Sequence, residues 1–339
     1  MRTAFGQQFD VPDGYLNTAA IGIPSVAVGE AVAYAVRDWR AGTGLPTDFD
    51  ASVTVARAAF GELVGVGADR VVIGSATSGL VGLVAASLPD GARVLVASGD
   101  FTSVSFPFAA QAGRGVSVVE VELEELGERA AEYDLVAVSV VQSADGRIVD
   151  LDALRAAQTA GTQVLLDATQ SLGWFEADLG WADVVVGSSY KWLFSPRGAA
   201  WMAVSPALEL VPHLAGWYAG EDPWSSIYGL PLRLAPDARA LDISPAWLCH
   251  LGAAVALPWL AGLDRAGVHA HCTKLADALR AGLGMEPAGS AIVSVHRPDA
   301  VERLAAAGVV ASARAGAARL SFHLYNTEDD VARALAALS

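Results

Sequence analysis

The stretch DVVVGSSYK, residues 183–191, joins an apolar run rich in β-branched residues to a loop that ends in a lysine. A run that is apolar at every position is typical of a strand covered on both faces, as in a parallel sheet. Short apolar runs recur along the chain, and many of them are also apolar throughout. They predict strands at Arg70–Ile73, Arg93–Ala97, Val116–Val121, Leu135–Val141, Gln163–Leu166, Asp183–Val186 and Ala199–Val204.

Amphipathic segments lie between these runs and predict helices at Val26–Arg40, Ala51–Leu63, Ser78–Ser87 and Asp150–Ala160. Asp50 is a candidate N-cap of the second helix and Gly65 a candidate stop, since these residue types favour those positions. The alternation of strands and helices predicts an α/β fold with a mostly parallel central sheet flanked by helices.

The pattern changes after residue 205. Residues 212–245 combine Pro, Gly and aromatic residues without periodicity, and a long irregular segment of this kind usually forms a lid or a pocket wall. The predicted elements beyond it are helices at 246–262 and 267–283, strands at Ala291–His296, Val309–Arg314 and Arg319–Phe322, and helices from Pro298 and at Glu328–Leu338. We therefore expect a large domain over 15–258 and a small C-terminal α+β domain over 259–339, on which residues 1–14 could pack.

The composition excludes several classes of protein. Of the 339 residues, 53% are hydrophobic, which excludes intrinsic disorder. A net charge of −15 disfavours nucleic-acid binding through phosphate contacts. Two cysteines cannot form a disulfide framework and fit a reducing compartment. No signal-peptide pattern opens the chain, and the apolar stretch 245–263 is interpreted as a buried helix, so we expect a soluble, cytoplasmic protein.

The chain contains only two lysines, Lys191 and Lys274. Lys274 lies in an amphipathic segment and is interpreted as a solvated surface charge. Lys191 follows the predicted strand 183–186, and ligands of open α/β sheets gather where strands end in loops. Two interpretations stay open from the residues alone. One is a catalytic lysine, and the other is a surface lysine whose stem lies on Trp192.

Asp167 ends the apolar run Val164-Leu165-Leu166 in the same way. A carboxylate next to a buried strand needs a partner, because an unpaired buried charge is costly. It could cap a helix or a turn, or it could hold a protonated ring nitrogen. Asp167 and Lys191 end two predicted strands of one sheet, so they could face one crevice.

A small-residue turn, GSATSG at residues 74–79, links the predicted strand 70–73 to a helix. Free N–H groups at a helix start can bind a phosphate, and small residues let it approach. An ordinary N-capped turn is the alternative. The turn is neither a Walker A loop nor a dinucleotide-binding Gly-x-Gly-x-x-Gly motif.

In this order the turn, the aspartate and the lysine resemble the fold-type I pyridoxal-phosphate enzymes, specifically the class V aminotransferase family with its cysteine desulfurase, kynureninase and isopenicillin N epimerase-like branch. The resemblance runs from YLNTAA (15–20) to RLSFHLYNT (319–327), and DATQS (167–171) and SSYKW (188–192) carry most of its specificity. It implies the fold-type I architecture with a large and a small domain, and pyridoxal 5′-phosphate as the cofactor.

The resemblance also implies site residues. Lys191 would form the internal aldimine with the cofactor and move the substrate α-proton, Asp167 would pair with the ring nitrogen, and Arg319 would bind the substrate α-carboxylate. The other implied contacts are Gln170 to the phenolic oxygen, Ala76, Thr77, Ser188 and Tyr190 to the phosphate, Phe101 on the ring, and Ala20 and Trp217 beside the substrate. Ser244 matches a position that reaches the phosphate of the neighbouring subunit, which implies a homodimer with active sites at the interface.

Three residues depart from the pattern of the desulfurases. Phe101 stands where they stack a histidine on the cofactor, so stacking would survive while the proton-carrying imidazole would not. Tyr190 replaces a histidine before the lysine, and Ser143 replaces a common asparagine.

The persulfide-forming cysteine of the desulfurases is missing. The stretch VVASARAGAA, residues 309–318, contains none. Cys249 and Cys272 are interpreted as packed small hydrophobic residues. The segment HAHC, residues 269–272, is not interpreted as a metal site, because residues two apart on a helix do not share a face.

These residues predict an enzyme acting on an α-amino acid, with no nucleic-acid or membrane partner. β-Elimination of the C–S lyase type is the leading hypothesis, and transamination is the alternative. A kynureninase-like hydrolase or an epimerase is a second alternative, and a non-enzymatic cofactor-binding scaffold is disfavoured.

Overall fold

A computed structural model describes all residues from Met1 to Ser339. The strands are β1 (Arg2–Ala4), β2 (Gln7–Phe9), β3 (Val71–Gly74), β4 (Arg93–Ala97), β5 (Ser117–Val121), β6 (Leu135–Ser139), β7 (Gln163–Asp167), β8 (Val184–Ser188), β9 (Ala200–Val204), β10 (Ile292–Val295), β11 (Ser312–Arg314) and β12 (Ala317–Ser321). The helices are α1 (Val26–Ala41), α2 (Asp50–Val64), α3 (Thr77–Ser87), α4 (Thr102–Ala109), α5 (Leu126–Arg129), α6 (Leu151–Thr159), α7 (Trp247–Ala261), α8 (Arg265–Gly282), α9 (Ala300–Ala306) and α10 (Glu328–Leu338).

Seven strands form the central sheet, in the order β3-β9-β8-β7-β6-β4-β5. The strands from β5 to β8 pair in parallel, and β9 runs antiparallel to both of its neighbours, β3 and β8. The predicted α/β class with a mostly parallel central sheet is confirmed.

Both faces of this sheet are buried along its inner strands, as the continuous apolar runs predict, while the edge strand β5 exposes Ser117 and Glu120. In β7, Val164 and Leu166 belong to one apolar cluster, while Leu165 between them belongs to a second cluster on the opposite face. Successive side chains of a strand point to opposite faces, so a strand between two cores must be apolar at every position.

The C-terminal part forms a second, antiparallel sheet in the order β10-β12-β11, with its own apolar cluster. Residues of α8, α9 and α10 contribute to that cluster, as does Leu16 from the N-terminal segment. At the start of the chain Arg2 donates to Asp330 of α10 over 2.6 Å, while Phe9 of β2 packs in the larger core. The division into domains at residue 258 stays a prediction.

Several local expectations differ from the structure. Asp50 does not cap α2, because the helix begins at Asp50 itself, and its carboxylate accepts a hydrogen bond from Trp224 Nε1 (2.8 Å). Gly65 ends the helix in the left-handed conformation, as predicted. The hairpin β1–β2 and the helix α4, which contains Pro107, were not predicted.

The predicted strand Val309–Arg314 is only partly formed. Val310 exchanges backbone hydrogen bonds with Gly14 and Leu16 at the N-terminus, so it leaves the ladder with β12 to Ser312–Arg314. No single helix meets the length and hydropathy of a membrane span, although α7 and α8, joined at a 94° bend, would do so together by length and composition.

Candidate active site

The carboxyl ends of the parallel strands open into a polar pocket of about 640 Å³ including its mouth. Asp167 is the last residue of β7, and Lys191 lies in the loop after the adjacent strand β8. Because these parallel strands end at one edge of the sheet, both side chains line the same pocket. The residues that surround them are Ser75, Ala76, Thr77, Ser78, Phe101, Ser103, Ser139, Ser143, Thr169, Gln170, Ser188, Tyr190 and Arg197.

One end of the pocket gathers hydroxyl groups at the start of α3. Thr77, the first residue of the helix, lies with its Oγ1 2.8 Å from Ser188 Oγ and 3.3 Å from Thr169 Oγ1. No side chain caps this helix, so its first N–H groups stay free to bind a ligand. Free N–H groups and hydroxyls at a helix start suit a phosphate.

Asp167 lines the same pocket and is almost fully buried. Its Oδ1 accepts a hydrogen bond from the backbone N–H of Thr169 (2.8 Å). Burial raises the pKa of Asp167, and the hydrogen bonds from Thr169 and the charge of Lys191 only partly oppose this. A cationic N–H within reach would hold the carboxylate in its charged form.

Lys191 is 6% exposed, so it is not a surface lysine. Burial is the main cause that lowers its pKa, to about 8, and among the charges Asp167 raises it while Arg319, Arg314 and Arg197 lower it. Nζ lies 5.4 Å from the ring centroid of Phe101 and 5.6 Å from that of Tyr190. An amine with this pKa is neutral in a useful fraction of molecules near pH 7 and can act as a nucleophile or a base.

Gln170 connects the pocket to the N-terminal segment. Its Oε1 accepts from Trp192 Nε1 (2.7 Å), while Nε2 donates to the carbonyl of Ala19 (3.1 Å) and to Ser143 Oγ (3.0 Å). Ala20, half-buried, is the next residue after that carbonyl. The amide is therefore held from three sides, and its predicted contact with a phenolic oxygen stays a prediction.

Arg319 reaches the same region from β12. Its Nη1 donates to the carbonyl and to the hydroxyl of Ser143, the latter over 3.1 Å, whereas Nε and Nη2 are buried without any partner. Burial is the main cause that lowers the pKa of Arg319, to about 10. Two free donors on one guanidinium edge match the two oxygens of a carboxylate.

Four predicted residues do not line this pocket in a single chain: Arg319 and Ala20, which reach it through Ser143 and Gln170, and Ser244 and Trp217. Ser244 is exposed. Trp217 is half-buried and packs on Trp224, with 5.0 Å between the ring centroids. Their assignment to the site stays a prediction.

Comparison with known proteins decides the family, since the model of the class-V aminotransferases matches residues 30–301. The chain belongs to the class-V aminotransferase family. This makes it a pyridoxal-phosphate-dependent enzyme and confirms the family predicted from the sequence.

Two curated relatives of this class-V enzyme are similar over most of its length. The uncharacterized aminotransferase YcbU of Bacillus subtilis is 27% identical over 305 residues, covering 83% of this chain and 81% of the relative. The kynureninase of Deinococcus radiodurans is 28% identical over 271 residues, covering 73% of this chain and 65% of the relative.

Solved structures share the fold. The cysteine desulfurase CsdA of Escherichia coli superposes with a TM-score of 0.83 at 22% identity, covering 98% of this chain and 96% of its own. The cystine C–S lyase C-DES superposes with a TM-score of 0.85 at 18% identity, covering 97% of each chain.

The residues present fit the cofactor that the family implies. The buried amine of Lys191 can bond an aldehyde, and Asp167 offers a carboxylate without a cationic contact for a ring nitrogen. The hydroxyls of Thr77, Thr169 and Ser188 can hold the phosphate. The donor set of the pocket therefore matches pyridoxal 5′-phosphate at three separate points.

Sequence reasoning missed several polar residues of this class-V site, among them Thr169, Arg197 and Asp100. Thr169 sits two residues after Asp167, inside a motif that was already recognised. Arg197 lines the pocket from the loop after Lys191, with its guanidinium 4.9 Å from the ring centroid of Tyr190. Asp100 follows β4 as Asp167 ends β7, and a polar residue after an apolar strand was the available signal.

Asp100 holds the floor of the pocket together. Its Oδ1 accepts from Ser139 Oγ (2.6 Å) and from the backbone N–H of Phe101 (2.6 Å), and Oδ2 accepts from the backbone N–H of Ser139 (2.8 Å). These bonds tie the start of α4 to the end of β6. Phe101, at the start of α4, places its exposed ring beside Lys191.

No cysteine lies at the pocket. The strands β11 and β12 are joined by Ala315 and Gly316, both with positive φ, in a two-residue turn. Cys272 is buried in α8. Cys249 is half-buried with its thiol donating to the carbonyl of Arg197 over 3.2 Å, and burial raises the pKa of both thiols. Both cysteines are packed, as predicted.

Proposed function

We propose that this enzyme catalyses β-elimination from an α-amino acid, breaking the bond between Cβ and a substituent such as sulfur. The observation that carries the proposal is the chemistry around Lys191. No thiol and no imidazole line the pocket, so the only amine there serves as the base. Elimination needs a base and a leaving group but no protein nucleophile.

Binding of the substrate would rest on Arg319. Its free Nε and Nη2 pair with the two α-carboxylate oxygens, while Ser143 holds the other edge of the guanidinium. Anchored in this way, the substrate presents its Cα to the amine of Lys191. Asp167, Gln170, Thr77 and Ser188 hold the cofactor, with Ala76 at the helix start.

Lys191 takes the α-proton at Nζ, and its lowered pKa suits a base working near neutral pH. The electron pair of the Cα–H bond forms the Cα–Cβ double bond, and the Cβ–S pair leaves on sulfur. Pyridoxal phosphate, when bound, supplies an electron sink that stabilises negative charge at Cα. The released three-carbon product hydrolyses to pyruvate and ammonia.

Ser244 supports a homodimeric form of the enzyme. It is exposed in one chain, where a second copy could place it at the phosphate of its partner. Trp217 and Tyr190 could then line one shared entrance. Both cysteines are free thiols, which fits work in the reducing cytoplasm.

The test uses purified holoenzyme with an S-substituted cysteine, with and without an added keto acid. Elimination predicts ammonia and pyruvate in equal amounts, independent of the keto acid. Lys191→Ala should abolish this turnover and the visible absorption band of the bound cofactor, because the amine is the covalent attachment point. Lys274→Ala, the other lysine of the chain, should change neither.

Transamination is the second candidate, because a relative that is 27% identical is an aminotransferase. It uses the same base and the same carboxylate anchor. Turnover that depends on the keto acid and releases no ammonia would replace the first proposal by this one.

A further inference from the structure

The hairpin β11–β12 places a second arginine beside the substrate anchor. Ser312 lies opposite Arg319 in the ladder, and Arg314 lies opposite Ala317. Residues that face each other across an antiparallel pair share a face, and so do residues two apart on one strand. Arg314 and Arg319 are therefore diagonal neighbours on one face, a spacing of about 7–8 Å between such positions.

No carboxylate compensates these two cations. Arg319 donates only to Ser143, and the only hydrogen bond from the side chain of Arg314 goes to the carbonyl of Ala313 (2.7 Å). Ser312 Oγ, on the same face, is buried without a partner. The chain has a net charge of −15, yet this face of the hairpin carries two arginines and an unpartnered hydroxyl and no carboxylate. Such a face favours the binding of an anion that is not part of the chain.

The α-carboxylate of a substrate would occupy only part of this face of the hairpin. Arg319 alone offers the two free N–H donors that an α-carboxylate takes. The guanidinium of Arg314 remains, exposed at the end of the hairpin and close enough to Lys191 to lower the pKa of its amine. Arg197 adds a third guanidinium that lines the pocket.

We propose that Arg314, with Ser312, binds a second anionic group of the substrate. The substrate is then an α-amino acid whose side chain ends in an oxyanion, such as a carboxylate or a sulfonate. This inference rests on the proposed function only in taking an amino acid as the substrate, not in the reaction that follows.

The test compares isosteric pairs that differ in one charge, using the holoenzyme. Binding is followed by the change in cofactor absorption with L-glutamate and L-glutamine, which have no leaving group at Cβ. Turnover is followed with S-carboxymethyl-cysteine and its neutral amide. We expect the acidic member of each pair to be favoured about tenfold or more, the worth of a charge-assisted hydrogen bond.

Arg314→Gln should remove this preference by weakening only the acidic member, and Arg314→Lys should restore part of it. Arg129→Gln is the matched control, because it removes the same charge from a half-buried position on α5, where Arg129 pairs with Glu132 and does not line the pocket. Equal use of both members by the wild type, or an unchanged preference in Arg314→Gln, overturns the inference.

The two proposals fail separately. An acidic preference in binding without release of pyruvate and ammonia would refute elimination and keep the role of Arg314. Pyruvate and ammonia from both cysteine derivatives at equal rates would do the reverse.

Discussion

Among the buried arginines of this enzyme, Arg57 with 5% and Arg319 with 1% of its surface exposed meet different surroundings. Arg57 in α2 donates from Nη1 and Nη2 to the two oxygens of Asp242 (3.1 and 2.6 Å) and also to the carbonyl of Val71. Arg319 donates to Ser143 alone, and two of its nitrogens have no partner.

The carboxylates show the same contrast. Asp242 is paired with Arg57 and also accepts from the backbone N–H of Ile73 (2.9 Å), so it fastens α2 to β3. Asp167 is as buried, yet it has no cation in contact with it. A buried charged group that is paired with an opposite charge of the same chain stabilises the fold. A buried charged group without such a partner marks a binding site for a ligand.

The largest effect on the free energy of unfolding is expected from breaking the ion pair between Arg57 and Asp242. Arg57→Met leaves Asp242 buried without its cation, and removing one partner of such a pair costs about 3–5 kcal/mol of unfolding free energy. Urea unfolding of the purified protein measures it.

Arg319→Met is the variant matched to Arg57→Met, and it leaves no buried carboxylate without a partner. Its stability should stay within about 1 kcal/mol of the wild type, because losing an uncompensated buried cation offsets the lost hydrogen bonds. Its substrate binding should be lost. Equal destabilisation by both variants would show that the contrast between the two arginines has no energetic meaning.

A second prediction concerns Lys191 in the cofactor-free enzyme. Its pKa falls from 10.5 to about 8 on folding, so the unfolded chain binds more protons between these values and stability rises with pH across that window. Lys191→Met removes a penalty of about 3 kcal/mol that is complete below pH 8 and gone above pH 10.5.

The difference in unfolding free energy between Lys191→Met and the wild type, measured at pH 7 and at pH 10.5, checks this prediction. Lys274→Met serves as the control, because Lys274 is exposed and pairs with Glu328 at the surface. A gain at pH 7 that persists unchanged at pH 10.5 would contradict the assigned cause.

The smallest effect is expected at Ser143, which bridges Gln170 and Arg319 through one hydroxyl. Ser143→Ala removes both bonds but keeps the carbonyl that Arg319 also uses, so KM for the substrate should rise about fivefold to tenfold with little change in kcat. Ser103→Ala, on the same pocket, should leave KM unchanged. A fall in kcat alone would place Ser143 in the chemical step instead.

The parts of the fold set by local pattern could be predicted from the sequence. Most strands of the central sheet were found because burial on both faces makes each run apolar throughout, as in β7 and β8, whereas the edge strand β5 contains the exposed Ser117 and Glu120. Asp167 and Lys191 were found because polar residues at the ends of such runs stand out. Gly65 was found because the left-handed end of a helix favours glycine.

Features that depend on distant partners could not be predicted. Asp50 carries the signature of an N-cap, but the indole N–H of Trp224, far along the chain, occupies its carboxylate. The sequence around Val310 predicts part of a strand, but the backbone of Val310 forms hydrogen bonds with Gly14 and Leu16 rather than with β12. Two nitrogens of Arg319 have no partner because the fold places no acceptor beside them, and the spacing of residues in the sequence does not indicate this.

The scarcity of lysine has a practical consequence for anyone handling this enzyme. Unfolded and cut after lysine, the chain gives only three pieces, 1–191, 192–274 and 275–339. Borohydride reduction that fixes the cofactor to Lys191 would block the first cut and leave the first two pieces joined as one fragment, 1–274, beside 275–339. The mass of one peptide would then report how much of a preparation carries its cofactor, without any assay of catalysis.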